Sequence, residues 1–277
     1  MKPPKAGVMG WPVDHSRSPV LHGFWLKTYG LEGSYLRLPV APEQLGAALG
    51  ELHEKGFSGV SLTVPHKETA IAFLNGITAE ARHIGAVNTV FLTADGKLLG
   101  TNTDAYGFIT NLATAAPAWR PDAGPAVVLG AGGAARAVCY ALQNAGVPEI
   151  RVINRTLPRA EVLATALGPP LRLLPWEKMT GALKDAALLV NTTTLGMKGQ
   201  PALEIDLGPL PPSAVVNDIV YVPLETPLLA AARARGNPVV DGLGMLLYQA
   251  QPSFTGWFGV RPEVTPELRA HVLASMP

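Results

Sequence analysis

Pro125-Ala126-Val127-Val128-Leu129-Gly130-Ala131-Gly132-Gly133-Ala134-Ala135 is the stretch on which the fold turns. Its first five residues read as a buried strand that runs straight into a glycine-rich turn. Residues 134–145 then read as a helix, with Gly146 closing it. A strand, a glycine turn and a helix in that order aim free backbone N–H groups and the positive end of the helix dipole at one place, which suits a pyrophosphate. Gly130, Ala131, Gly132, Gly133 and Ala134 are therefore candidate dinucleotide contacts. Such a string alone is weak, because glycine turns also join strands and helices that hold no ligand. Its place between a strand and a helix gives it weight.

Working outward, residues 150–153, 187–190, 214–217 and 238–240 look like later strands of the same sheet. The strand after the glycine turn ends in Asn154-Arg155-Thr156. An NAD-preferring site would carry an acidic residue there for the ribose 2′-hydroxyl, and none is present. Arg155, Thr156 and Arg159 instead offer cationic donors and a hydroxyl to a 2′-phosphate, which favours NADP(H). The plainer reading is that Thr156 caps a helix whose first turn holds Pro158 while both arginines stay in solvent.

Toward the N-terminus, residues 6–10 read as a strand, and Ser18-Pro19 as the N-cap and first position of a helix with apolar pairs Val20/Phe24 and Leu21/Trp25. Ser16 and Ser18 thus fall at a helix N-terminus. Residues 59–64 read as a strand ending at Pro65, and 87–92 pairs with 97–100 through Ala94-Asp95-Gly96. Lys67 and Asp104 both come just past strand ends, where open α/β sheets put their ligands. Ala, Pro and Gly crowd together over residues 113–125 and mark the edge of a second unit. Beyond Asp241 the pattern is helical again over 245–254 and 266–275, a pair able to pack back on the first unit.

Composition narrows the classes of function. A chain of 277 residues, 48% hydrophobic, buries enough for about two domains. With a net charge of +1 and only 16% charged residues there is no broad basic face for nucleic acid, so any anion must be met by a local site. One cysteine, Cys139, excludes a disulfide framework, no secretory leader is expected from the residues near Met1, and no apolar run is long enough to span a membrane. The expected setting is cytoplasmic, with no membrane partner. His15, His22 and His66 lack metal-ligand spacing, so no metal is expected. Cys139 reads as a buried small residue, and Trp11, Trp25 and Trp176 as packing.

Reducing a ketone by hydride transfer builds negative charge on the carbonyl oxygen, which calls for a proton donor held by a partner. Lys67 and Asp104 can form that pair if the fold brings them together; His66 is the rival donor. The motifs Ser16-Arg17-Ser18-Pro19, Thr63-Val64-Pro65-His66-Lys67, Gly85-Ala86-Val87-Asn88-Thr89, Asn102-Thr103-Asp104, Gly130 to Ala135, Asn154-Arg155-Thr156 and Gly242 to Gln249 stand in one order along the chain. Together they make it resemble the shikimate/quinate dehydrogenase family over nearly its whole length.

That resemblance implies an α/β protein with an N-terminal α/β substrate domain (1–108 plus 242–277), a C-terminal Rossmann dinucleotide-binding domain (109–241) and a cleft between them. It implies NADPH-dependent, reversible reduction of 3-dehydroshikimate to shikimate in aromatic amino-acid biosynthesis, by a monomer or homodimer. Lys67 and Asp104 are the implied catalytic pair. Ser16 and Ser18 are implied to hold the substrate carboxylate, Thr63, Asn88, Asp104 and Gln249 to contact the substrate, and Tyr221 to close over it. On the cofactor side it points to the glycine turn with Asn154, Arg155, Thr156 and Arg159, and to Gly242 and Met245 near the nicotinamide. One departure is Ser61, where the family usually carries Asn; it leaves shikimate and the bulkier quinate both open. An aminoshikimate dehydrogenase and a non-catalytic nucleotide or shikimate sensor are further alternatives, as is a folate-pathway dehydrogenase of related two-domain plan, against which Ser16, Ser18 and Asn154-Arg155-Thr156 argue.

Overall fold

The computed structural model describes residues 3–276. The chain divides into two compact units, one formed by residues up to Thr103 together with those from Leu246 onward, the other by Asp104–Met245.

In the first unit the order is β1 (Lys5–Gly10), α1 (Ser18–Thr28), β2 (Ser34–Pro39), α2 (Leu45–Gly50), β3 (Gly59–Leu62), α3 (His66–Thr69), β4 (Gly76–Ile77), α4 (Ala79–Ile84), β5 (Thr89–Leu92) and β6 (Leu98–Thr101). These strands form a sheet in the order β2-β1-β3-β5-β6-β4, parallel except where β5 runs against β3 and β6. The 97–100 hairpin partner is present as β6, whereas the strand read over 59–64 stops at Leu62. There the Thr63 N–H still reaches the Met9 carbonyl at 2.9 Å, but the chain then turns, with the His66 N–H on the Thr63 carbonyl at 2.8 Å. Likewise β5 begins at Thr89 rather than 87.

The register sorts side chains between two faces. Met9, Val60, Leu62, Val90 and Leu98 point to one face and join Leu45, Leu49, Leu52, Ala81 and Val87 in an apolar core. Residues in the alternate register, Tyr35, Ser61, Thr89 and Thr101 among them, point to the other.

The second unit runs α5 (Asp104–Ala115), β7 (Ala126–Leu129), α6 (Gly133–Ala145), β8 (Ile150–Asn154), α7 (Leu157–Leu167), β9 (Leu171–Pro175), β10 (Leu188–Asn191), β11 (Val215–Asp218), α8 (Pro227–Ala234) and β12 (Val239–Val240). Its sheet is parallel throughout, ordered β12-β11-β10-β7-β8-β9. That is the doubly wound Rossmann order, and it reverses between β7 and β10, so the glycine turn leaves β7 at the switch point. Then α9 (Gly242–Phe258) starts in this unit and ends in the first, followed there by α10 (Pro266–Ala274). Trp257 Nε1 on α9 donates to the Val90 carbonyl at 3.1 Å, and Trp25 Nε1 on α1 donates to the Glu263 carbonyl at 2.9 Å. These bonds tie the C-terminal helices to the β5 and α1 side of the sheet.

Candidate active site

In the second unit the site begins with backbone. Gly130 has φ +113°, and a Cβ there would lie 2.6 Å from Thr192 Oγ1, so neither conformation nor space admits a side chain. Thr192 cannot easily withdraw, because its N–H and Oγ1 both bond the Leu129 carbonyl, at 2.9 and 2.6 Å. At Gly132, the N-cap of α6, a Cβ would meet nothing within 4 Å. The missing side chain thus leaves room for a ligand to approach first-turn N–H groups that no side chain caps. These features fit a dinucleotide pyrophosphate.

The next strand end supplies side chains. Asn154 Nδ2 donates to the Thr156 carbonyl at 2.8 Å and shapes the turn. Thr156 does stand at the N-cap of α7, but its hydroxyl makes no capping bond, which corrects the plainer reading of that residue. Arg155 and Arg159 are exposed, and no acidic residue lies between Asn154 and Arg159. The Arg155 guanidinium carbon sits 5.3 Å from the ring centroid of Trp176, a cation–π contact that holds the cation over a flat surface. Trp176 thus packs against a cation as well as against apolar neighbours, a contact that its position in the sequence did not signal.

Elsewhere in this unit, Gly242 is explained by close packing: a Cβ would meet the Ile219 carbonyl oxygen at 2.2 Å. Met245 is buried and Tyr221 half-buried. Asp218, at the end of β11, is fully buried, and burial pushes its carboxyl up to about 6. It accepts from Thr226 Oγ1 at 2.7 Å, from the Val220 N–H at 3.0 Å and from Asn191 Nδ2 at 3.0 Å, and so fixes the segment that carries Tyr221.

In the first unit the polar residues gather within the fold although they are far apart in sequence. Asn88 Nδ2 donates to Thr103 Oγ1 at 2.9 Å and to Gln249 Oε1 at 3.2 Å, while its Oδ1 accepts the Thr103 N–H at 2.7 Å. Asn88, Thr103 and Gln249 are all buried. Behind them Thr89 Oγ1 and Ser253 Oγ lie 2.7 Å apart. Thr103 is a member of this cluster that sequence reasoning passed over, although it stands inside the quoted Asn102-Thr103-Asp104 motif.

Ser16 and Ser18 are buried at the start of α1, with the Ser18 N–H on Ser16 Oγ at 3.4 Å. Arg17, not Ser18, occupies the N-cap, and Ser18 is the first helical residue. The expected cap is thus displaced by one residue, and the Ser18 hydroxyl is not spent on capping. Arg37 of β2 forks onto the Ser16 carbonyl through Nε and Nη2 at 3.2 and 2.9 Å, which fixes the serine loop and brings a cation to it.

Thr63 and Lys67 are half-buried, and the Lys67 carbonyl accepts the Val87 N–H at 2.7 Å. Asp104 is buried at the first position of α5. The rival donor His66 is completely buried, with Nε2 2.8 Å from the Val40 carbonyl, so it is occupied in the core. His22 is equally buried, and desolvation lowers its pKa to about 3, so it is neutral. Burial raises the Cys139 thiol to about 12, which leaves it inert. Among the described residues no group of three His, Cys, Asp or Glu side chains is arranged to hold a metal ion, and no helix is long and apolar enough to cross a membrane.

A doubly wound sheet with an open glycine turn and a cationic second strand end, in one chain with a sheet whose face carries hydroxyls and amides, defines a nicotinamide-dependent oxidoreductase of two-domain type. Comparison with known proteins narrows the class. Residues 8–90 match the shikimate dehydrogenase substrate binding domain, and residues 121–196 match the shikimate / quinate 5-dehydrogenase family. A protein of Paramagnetospirillum magneticum named shikimate dehydrogenase (NADP(+)) is 58% identical over 97% of this chain and 98% of its own. The shikimate 5-dehydrogenase of Thermus thermophilus, solved with NADP(H) and shikimate, is 42% identical, with 98% of each chain covered and a TM-score of 0.86. The quinate dehydrogenase of Corynebacterium glutamicum, solved with NAD, is 30% identical over 98% of this chain and 99% of that one, with a TM-score of 0.90. The chain belongs to the shikimate dehydrogenase family.

Proposed function

We propose that this protein catalyses the NADP(H)-dependent, reversible reduction of 3-dehydroshikimate to shikimate as a cytosolic enzyme, acting alone or as a homodimer. The observation that carries the reading is the contrast between the two faces of the first unit's sheet. One face is closed by Val, Leu and Met, whereas buried hydroxyls and amides, Ser61 and Asn88 with Thr103 and Gln249, gather away from it. Burying so many polar groups costs stability unless each is hydrogen-bonded, and a polyol acid needs such a set of donors and acceptors. Resemblance to proteins named for shikimate over the full chain selects which polyol acid.

The proposed roles follow from chemistry. Ser16 and Ser18 donate to the substrate carboxylate at the positive end of α1, with Arg37 adding charge behind them. Asn88, Thr63, Asp104 and Gln249 hold ring hydroxyls, and Tyr221 covers the ring. Bound NADPH supplies the hydride. Arg155, Thr156 and Arg159 receive its 2′-phosphate, with Trp176 backing the first arginine, while the Gly130–Ala134 turn and Asn154 hold the rest of the nucleotide and Gly242 and Met245 border its nicotinamide. As charge develops on the substrate carbonyl oxygen, the Lys67 ammonium gives it a proton, and Asp104 orients both the ammonium and the hydroxyl formed. In the oxidative direction the Lys67 amine takes the same proton back.

The test is NADPH oxidation by the purified protein with 3-dehydroshikimate, beside parallel assays with quinate and aminoshikimate in the oxidative direction. Lys67→Met is expected to lower kcat by about 10²–10⁴-fold while shikimate still binds. Near-normal turnover by that variant would sink the proton-transfer role, and turnover of quinate alone would move the substrate assignment.

A further inference from the structure

Tyr35 was not singled out by any motif, yet it occupies a particular place beside the serine loop. It lies on β2 opposite Ala6 of β1, and Ser61 lies on β3 opposite Val8, so both side chains stand on the same face with β1 between them. The phenol crosses β1 and its OH donates to Ser61 Oγ at 2.8 Å. The Ser18 side chain also lies beside this phenol, close enough to favour its ionised form. Three buried hydroxyls are therefore neighbours in the order Ser18, Tyr35, Ser61, the first at the proposed carboxylate site and the last on β3.

The ring that carries the central hydroxyl is held firmly. It stacks on His22 with centroids 3.9 Å apart and planes 7° from parallel, and Trp257 leans against it at 5.8 Å. Neither His22 nitrogen has a hydrogen-bond partner among the described residues, so this neutral imidazole serves the stack as a flat wall. Burial keeps the phenol protonated by raising its pKa. Because Tyr35 gives its proton to Ser61 Oγ, the Ser61 proton is left to point elsewhere.

We infer that Tyr35 is a positioning residue for substrate: its hydroxyl ties Ser18 to Ser61, fixes the spacing between the carboxylate contact and a ring-hydroxyl contact, and turns the Ser61 proton toward the ring. This rests on the function proposed above. It also gives the short side chain at position 61 a partner, so that the serine is held in one orientation.

Steady-state kinetics with shikimate and NADP on Tyr35→Phe, Ser61→Ala and the double variant test this. Tyr35→Phe keeps the stacked ring and removes only the hydroxyl. Its shikimate KM is expected to rise by about 2–10-fold, the equivalent of one hydrogen bond, with kcat within about twofold. Ser61→Ala should give a similar rise, and the double variant no more than the larger of the two, because both remove the same link. Thermal midpoints are measured alongside, to separate a lost contact from a loosened fold. An unchanged KM in Tyr35→Phe, a fall confined to kcat, or multiplicative effects in the double variant would overturn the inference while leaving the function intact. A wild-type chain that oxidises no ring acid would remove both.

Discussion

The two units build their sites in opposite ways. In the second, the proposed nucleotide site is mostly backbone: consecutive residues Gly130 to Ala134 would supply it, at the place where strand order reverses. In the first, the proposed substrate site is made of side chains drawn together by folding, and Asn88 and Gln249, which share a hydrogen bond, are separated by 161 positions. Phosphate can be bound by any amide N–H, so geometry alone suffices and a local sequence can specify it. A polyol needs particular donors and acceptors at particular points in space, and only tertiary structure provides them.

The largest expected effect breaks the backbone site. Gly130→Val puts a β-branched residue at φ +113° and a Cβ against Thr192, for a strain of about 1–3 kcal/mol before any repacking. NADPH affinity, measured by fluorescence titration, should fall by at least about tenfold with a lowered thermal midpoint. Gly132→Ala sharpens the point, since its Cβ meets no protein atom. There the fold should hold while affinity falls, and equal loss of both in the two variants would show that the turn is only a structural joint.

The side-chain site is broken at its centre. Asn88→Ala strips partners from the Thr103 N–H and from Gln249, and leaving buried groups unpaired costs about 1–3 kcal/mol. Chemical denaturation should register that loss, and shikimate KM should rise with it, whereas NADPH binding to the second unit should change little. If nucleotide affinity fell as far as substrate affinity, the separation of the two sites would be wrong.

How much of this could be read beforehand follows the same division. The glycine turn, the strands on either side of it and the absence of an acid after β8 were legible because each is a local pattern. The strands that gave no signal, β2, β4 and β9, all lie at or next to sheet edges. An edge strand is only partly covered, so its side chains need not alternate, as Ser34–Pro39, with a single buried residue, shows. Tyr35 was missed for that reason, and Trp176 because its partner Arg155 lies 21 positions earlier, in the turn after β8. Thr103 was hidden between two residues whose chemistry drew more notice.

Asp218 carries a prediction that belongs to the second unit but concerns side chains. Burial raises its carboxyl from 3.8 to about 6. A raised carboxyl pKa means that the folded state holds its proton more tightly than the unfolded chain does. The stability it contributes is full below pH 4 and is lost as the pH rises through 6, by about 2–3 kcal/mol. Asn at this position can still accept from Val220 and Asn191 and donate to Thr226, without titrating. Asp218→Asn should therefore gain stability relative to the parent chain between pH 4 and pH 7. A constant difference across that window would show that the carboxyl is solvated more than its burial implies.

The smallest effect lies where the two modes of construction meet, at a side chain proposed to assist the backbone site. Trp176 holds the Arg155 guanidinium by a cation–π contact, and for an exposed pair this is worth about 0.5–1 kcal/mol. Trp176→Leu keeps apolar bulk and loses the ring face, so NADPH affinity should drop by about two- to fivefold. NADH, which has no 2′-phosphate, gains nothing from Arg155 and should bind the variant as it binds the parent. The ratio of the two affinities is thus the decisive reading: a shift in NADPH alone assigns Arg155 to the 2′-phosphate, and a parallel shift in both returns Trp176 to packing.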